Sequence, residues 1–360
     1  MLILGAGLMG RLLALALARQ GHRVEVHEAG PADASGAAAR AAAAMLAPLA
    51  ESAVTELNVV RMGQYSLPRW AQLIGSLAEP VFFQHQGTLI VWHRQDAPEA
   101  ERLHQHLARN ARLMPELPAA QPLDAARLGH IEPALAGRFN QGLFLPGEGQ
   151  LDNRQLLEAL RHELERAGVE LHWHSARSPE AWQPGRPGQP DWLLDCRGLG
   201  AQPDWRQVRG VRGEVVRLHA PEVSLKRPTR LVHPRYPLYI APKENHVFVI
   251  GATEIESEDR SPASVRSALE LLSAAYSVHS GFAEARLLEI STQLRPTLPD
   301  NLPAVRWQGE RRLQVNGLYR HGFLIAPALL DVVLELLQAS DSPLARRLGL
   351  NIEQGAAMAA

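Results

Sequence analysis

The sequence holds a single cysteine, Cys196, in 360 residues. No internal disulfide can form, which suits a reducing compartment. Cys196 lies in an apolar strand and reads as an inert core thiol. Excess charge is missing too. The net charge is −1 and there is no Lys/Arg-rich run, so binding to nucleic acid or an anionic membrane by counterion release has no support. No apolar stretch is expected to reach the length of a membrane span. LLALALA after Arg11 has the look of an export signal, but a Gly-rich turn precedes it and a polar helix end follows. The cytoplasm is the expected location. Fifteen histidines are scattered; His104/His106 and His172/His174 are spaced i, i+2, but no carboxylate is expected to complete a metal site. No Ser-His-Asp or paired-carboxylate constellation is apparent.

An apolar content of 46% and a charged content of 21% describe an ordinary globular protein. The length is that of two domains, or of one large α/β unit with an inserted domain.

MLILGAGLMGRLLALALARQGHRVEVHEAG forms a β-turn-α-β unit. Leu2–Leu4 is a buried strand, Arg11–Gln20 a helix ended by Gly21, and Arg23–Glu28 a second strand. Gly5, Gly7 and Gly10 form GxGxxG, with Leu8 and Met9 inside it. The glycines allow a tight turn, backbone approach to a pyrophosphate and close helix–strand packing. The helix N-terminus faces the phosphates. Glu28, eighteen residues after Gly10, can accept from ribose hydroxyls. This is a dinucleotide-binding unit. The chain begins one residue before its first strand, so a few upstream residues are expected to be missing.

ASGAAARAAAAMLAPLAE is rich in the best helix former and predicts a surface helix. Alternatively, its small side chains let backbone lie against a flat ring. Pro98–Met114 reads as a polar helix, and LDNRQLLEALRHELERAG as an amphipathic helix followed by a strand. DWLLDC is a buried strand returning to the nucleotide domain. VRGEVVRLHA, LYIAPK and HVFVIGAT are strands of a second, largely antiparallel sheet, followed by a helix at Ser264–Ser277. NGLYRHGFLIAPALLDVVLELL is a strand end, a turn and an apolar helix. Arg320 and His321 precede the apolar run there, and a cation in an apolar corner needs a negative partner.

GAGLMG with Glu28, AAAAMLAPLAE, LYIAPKENHVFVIGAT, QLRPTLPDNLPAV and NGLYRHGFLIAPAL, in that order, resemble the FAD-dependent D-amino acid oxidase superfamily, in particular its glycine oxidase branch in the thiamine pathway. The resemblance spans nearly the whole chain, and residues 50–145 and 170–195 add little to it. It implies an α/β protein with a Rossmann-like FAD-binding domain and an inserted, mostly antiparallel substrate domain. The implied boundaries are 1–79, 143–205 and 291–345 for FAD, 80–142 and 206–290 for substrate, and 346–360 as a tail.

The resemblance also supplies a negative partner for the turn, namely reduced flavin and the substrate carboxylate. Leu318, Tyr319, Arg320, His321, Gly322, Phe323 and Leu324 match the segment beside the flavin ring. Ala43, Ala44 and Met45 match flavin-contacting backbone. Arg295 matches the arginine that grips the substrate carboxylate in a two-pronged pair. Arg320 matches a second pocket arginine, with its backbone carbonyl placed to accept from the amine, and Tyr239 a tyrosine that reaches the carboxylate. His321 is expected to be structural or flavin-adjacent. Ala38, Ala39 and Ala29 stand where relatives often carry polar residues. No cysteine stands where sarcosine oxidases attach flavin, which implies non-covalent FAD. The implied activity is oxidation of glycine, sarcosine and small D-amino acids. Hydride passes to flavin, O2 becomes hydrogen peroxide, and glycine yields glyoxylate and ammonia, with the glycine imine serving thiamine thiazole synthesis. A broader D-amino acid oxidase, a quinone-linked dehydrogenase, a flavin domain acting on modified tRNA and a non-catalytic nucleotide-binding protein are alternatives. The partners expected are a small amino acid and O2, no nucleic acid, no membrane, and further copies of the chain as a homo-oligomer.

Overall fold

In a computed structural model of the chain, residues 1–355 are described except 184 and 233–237. Strand β1 (Leu2–Leu4), helix α1 (Leu8–Arg19) and strand β2 (Glu25–His27) form the expected unit. α1 starts three residues earlier than the sequence predicts. The earlier start puts Gly10 inside the first turn, where an added Cβ would lie 1.9 Å from the Gly5 carbonyl oxygen; no larger residue allows that approach. Arg11 is buried and ties the turn down. Its Nε donates to the Ala6 carbonyl at 2.7 Å, Nη1 to Leu157 at 2.6 Å and Nη2 to Ala32 at 2.7 Å.

β1 is central in a seven-stranded sheet ordered Asn351–Gln354, Ala304–Trp307, Arg312–Asn316, Leu193–Asp195, β1, β2, Glu170–His172. All its pairings are parallel except that between Ala304–Trp307 and Arg312–Asn316. The second sheet has eight strands, ordered Arg286–Thr297, Arg209–His219, Val247–Gly251, Leu238–Pro242, Thr229–Leu231, Thr88–Val91, Gln141–Leu145, Gln121–Asp124. Only the pairing of Thr229–Leu231 with Thr88–Val91 is parallel. The fold is therefore the expected Rossmann-like FAD unit joined to a mostly antiparallel sheet. Sheet membership differs in detail from the expected boundaries. Gln141–Leu145 and the whole of Arg286–Thr297 lie in the second sheet. Asn351–Gln354, expected as tail, pairs in parallel with Ala304–Trp307; its short, weakly apolar pattern is typical of an edge strand.

Helices α2 (Leu57–Gly75) and α3 (Gly322–Ala339) pack on each other, and α3 also packs on α1. Contrary to expectation, one apolar stretch does reach span length: Tyr319–Ala339, with mean hydropathy 1.7. Phe323 through Leu330 are buried in the main core, so this is a core helix. It carries Pro327, which cannot bond back to Phe323. The carbonyl thus freed accepts from Trp70 Nε1 of α2 at 2.6 Å.

The Ala-rich segment is helical only over Ala38–Ala41 and, at its end, Pro48–Glu51. Ala42 is extended and Ala44 has φ +51°, so tertiary contacts override helix propensity here. Met45–Leu46 then joins a small third sheet with Gly149–Leu151 and Phe83–Gln84.

Candidate active site

A cavity of about 1140 Å³ runs from β1 and β2 to the second sheet. At one end Gly5, Gly7, Leu8, Met9 and Glu28 line it. Gly10 is buried behind them, where it shapes the turn without reaching the wall. Gly7 caps α1 with no side-chain hydrogen bond, so the first backbone N–H groups of a twelve-residue helix are left to an anion. Glu28 accepts from the backbone N–H of Ala6 at 2.6 Å and of Gly30 at 2.8 Å. Its carboxylate thus fixes the Gly-rich turn against the end of β2 and still lines the cavity. The loop after Glu170–His172, which the sequence left open, brings Ser175, Ala176, Arg177 and Ser178 to the same wall. Arg177 Nη1 donates to Glu25 Oε1 at 2.8 Å.

A carboxylate does gather with two histidines, contrary to expectation, though with neither of the i, i+2 pairs. Glu25, His27 and His172 each place a ligand atom within 4.8 Å of the others. β2 and its neighbour put them on one face, a pairing no local spacing reveals. Arg177, 3.2 Å from His27 Nε2, already supplies positive charge there.

Midway, Ala43, Ala44 and Met45 line the wall. Behind them Lys243 is buried. Its Nζ donates to the carbonyls of Ala43 at 2.8 Å and Leu151 at 2.7 Å, and to Gln150 Oε1 at 3.1 Å. Burial pushes this amine down to about 7. Leu318, Tyr319, Gly322, Phe323 and Leu324 line the opposite side with the N-terminus of α3, whose cap residue His321 makes no capping bond.

The far end is built from charge. Arg295 stands on Arg286–Thr297 and turns over Gly213 of the neighbouring strand, where an added Cβ would lie 2.3 Å from the guanidinium. It donates to the carbonyls of Thr253 at 3.0 Å and Arg212 at 3.4 Å, and meets no carboxylate among the described residues. Burial lowers its proton affinity, and Arg320 lowers it further. Tyr239 lies on the same wall, its hydroxyl pushed up by burial.

Arg320 differs. Its Nη1 donates to Glu254 Oε2 at 2.8 Å and its Nε lies 3.3 Å from Glu51 Oε2. Glu51 raises its affinity for its proton, more than burial lowers it. Glu51 also accepts from Arg230 Nη2 at 2.6 Å and faces His321 Nδ1 at 3.3 Å. Burial opposes the Glu51 charge, but Arg320 and Arg230 outweigh it and hold the carboxyl well below the ordinary range. His321 is pushed down by burial against the pull of Glu51, which fits a structural, neutral imidazole. The Tyr319 hydroxyl, in a residue at φ +50°, donates to Glu254 Oε1 at 2.7 Å.

The negative partners of Arg320 and His321 are thus found inside the protein. No paired-carboxylate constellation was apparent in the sequence, yet Glu51 and Glu254 gather here beside the partners the resemblance implies. Glu51 closes the quoted run AAAAMLAPLAE, and Glu254 follows GAT. Both motifs were visible; the charge pairing was not. Arg230, on a short strand with no motif, carried no signal.

The cavity fits a dinucleotide bearing a flat ring. It offers an uncapped helix N-terminus at each of two walls, a carboxylate beside the Gly-rich turn and an Ala strap with no side chain beyond Cβ. The comparisons agree. The family model FAD dependent oxidoreductase matches residues 1–335. A Rhizobium etli protein named thiamine biosynthesis oxidoreductase ThiO is 38% identical over 95% of this chain and 98% of its own. Glycine oxidase of Geobacillus kaustophilus is 26% identical over 94% of this chain and 93% of its own. Its crystal structure aligns with TM-score 0.78 over 95% of both chains at 24% identity. Iminodiacetate oxidase from Chelativorans sp. BNC1 aligns with TM-score 0.82 over 98% of this chain and 99% of that one at 20% identity, a likeness of fold. The chain belongs to the FAD dependent oxidoreductase family, takes FAD as its cofactor and resembles that family's amino acid oxidases over nearly its whole length.

Proposed function

We propose that the protein oxidises glycine, and with it sarcosine and small D-amino acids, to the imino acid, and that water then releases glyoxylate and ammonia from the glycine product. One observation carries this reading. Of the three guanidiniums at the far end, Arg230 and Arg320 are paired with Glu51 and Glu254, whereas Arg295 bonds only carbonyls. An unneutralised, largely desolvated guanidinium lining a cavity is a receptor for one carboxylate. Bound FAD supplies the two-electron acceptor, with O2 as its oxidant and hydrogen peroxide as the product.

The protein's part is position and charge. Arg295 holds the carboxylate, and Tyr239, on Leu238–Pro242 of the same sheet, adds a hydroxyl to that wall. Arg320 is already engaged by two carboxylates and serves the scaffold, with its backbone carbonyl left for the amine. Three guanidiniums against two carboxylates leave this end positive before substrate binds, so an ammonium is disfavoured and the amine pKa falls in the complex. Turnover should therefore rise toward alkaline pH, with a midpoint below that of free glycine. The ThiO and glycine oxidase likenesses support a place in thiamine thiazole synthesis.

The test is peroxide release under air from glycine, sarcosine, D-alanine and L-alanine across a pH series with FAD loaded. Peroxide from glycine, sarcosine and D-alanine, with glycine first and L-alanine last, is expected. L-alanine ahead of D-alanine, or no peroxide from any of the four, overturns the reading. D-alanine far ahead of glycine moves it to the broader D-amino acid oxidase, and dye reduction without oxygen use to a quinone-linked dehydrogenase.

A further inference from the structure

Glu254 is the charged group at the substrate end that binding and oxidation of glycine do not require. It lies three residues past the end of Val247–Gly251, lines the cavity and is more open than its neighbours: its side chain is 43% exposed, against 11% for Glu51 and 21% for Arg320. It is held rigidly, by the Tyr319 hydroxyl on one oxygen and Arg320 on the other. The preceding carbonyl, of Thr253, accepts from Arg295. A single dipeptide therefore touches both guanidiniums, with a neutral oxygen on Arg295 and an anionic one on Arg320.

That asymmetry has a consequence for substrates. A carboxylate seated on Arg295 meets no anion already bound there. A second carboxylate on the same molecule would look to Arg320, the next guanidinium, and finds it occupied by Glu254 and backed by Glu51. We infer that Glu254 is a specificity-determining residue that admits monocarboxylic amines and rejects those bearing a second anionic group. The inference rests on Arg295 as the carboxylate receptor in the proposed amine oxidation. Discrimination arises by repulsion as well as attraction, and a like charge brought against a carboxylate fixed by two hydrogen bonds is unfavourable even where water screens part of it. Arg260, exposed on the same cavity lining, is water-screened and weak by comparison. The dicarboxylic amine iminodiacetate, which names the oxidase of like fold, is the natural probe.

The FAD-loaded enzyme and its Glu254→Gln and Glu254→Asp variants would be compared in two ways. Binding of acetate and malonate is read from the flavin absorbance, and kcat/KM is measured for glycine and iminodiacetate. Wild type should prefer acetate to malonate and glycine to iminodiacetate by at least tenfold. Glu254→Gln should shift both ratios toward the diacid by tenfold or more, and Glu254→Asp should hold them near wild type. The wild-type preference should also shrink as salt is raised, a readout that needs no variant to fold. A wild type that takes iminodiacetate as readily as glycine, a Gln variant with ratios moved less than threefold, or a salt-independent preference overturns the inference. Should no amine be oxidised while acetate and malonate separate as expected, the proposed reaction fails and the charge filter stands.

Discussion

The nucleotide end and the substrate end of the cavity are built from very different spans of chain. At the nucleotide end the Gly-rich turn is set locally, with Glu28 reaching the Ala6 amide across 22 positions and the Gly30 amide across 2, although Arg11 also ties the turn to Leu157 across 146. At the substrate end, Glu51 meets Arg230 across 179 positions and Arg320 meets Glu254 across 66. One end is a local loop whose shape follows from glycine sterics. The other is a set of charges that have no partners until both sheets and α3 are assembled. Charges gathered in that way are costly to bury singly and depend on one another. The substrate end should therefore be the more sensitive of the two to single substitutions.

Glu51→Gln should give the largest effect. It leaves Arg230 without its carboxylate and Arg320 with only the more exposed Glu254, and breaking a buried pair costs about 3–5 kcal/mol. Thermal unfolding of the FAD-loaded protein at pH 7 should show it. The folded carboxyl ionises at lower pH than in the unfolded chain, so its stabilisation is complete above the ordinary carboxylate range and disappears as pH falls through the folded value. The gap between wild type and variant should close in acid. A gap that stays constant with pH would mean lost packing rather than lost charge.

Arg295→Ala comes next. An unpaired, desolvated substrate carboxylate costs on the order of 2–5 kcal/mol, or roughly thirtyfold to several thousandfold in kcat/KM, with FAD retained. Lysine should recover only part, since an ammonium cannot make the planar pair. Near-normal kinetics in the alanine variant would move the carboxylate elsewhere and weaken the contrast between the three arginines.

Glu28→Ala should be the mildest. It removes an acceptor for two backbone amides and the expected ribose contact. Hydrogen bonds to a charged group contribute about 1.5–3 kcal/mol, so FAD should dissociate roughly ten- to a hundredfold more readily. The order of substrates in the remaining loaded enzyme should hold. If instead Glu28→Ala unfolds the protein while Glu51→Gln is silent, the comparison between the two ends is reversed.

The Gly-rich turn, the strand pattern of the second sheet and the apolar helix after Arg320 were legible in the sequence because each rests on short-range rules. GxGxxG specifies a turn, alternation specifies a strand, and an unbroken apolar run specifies a buried element. The Ala strap was not legible from its own residues. Helix propensity points one way there, and Lys243, two hundred positions from Ala43, draws the strap the other way. The Glu25–His27–His172 group was missed for a like reason, since it depends on which strand lies beside β2. So too with the tail, which proved to be an edge strand once Ala304–Trp307 offered it a partner.

Chain-local chemistry in this protein determined the cofactor fold and the presence of cations before α3. Which of those cations would be neutralised was left to tertiary structure. Arg295 and Arg320 look equivalent in sequence, each an arginine beside an apolar segment. They separate only when Glu51 and Glu254 come to rest against Arg320 while Arg295 meets carbonyls alone. A guanidinium carries the same charge everywhere, and its role depends on what else is buried within a few ångströms of it, which the fold alone fixes.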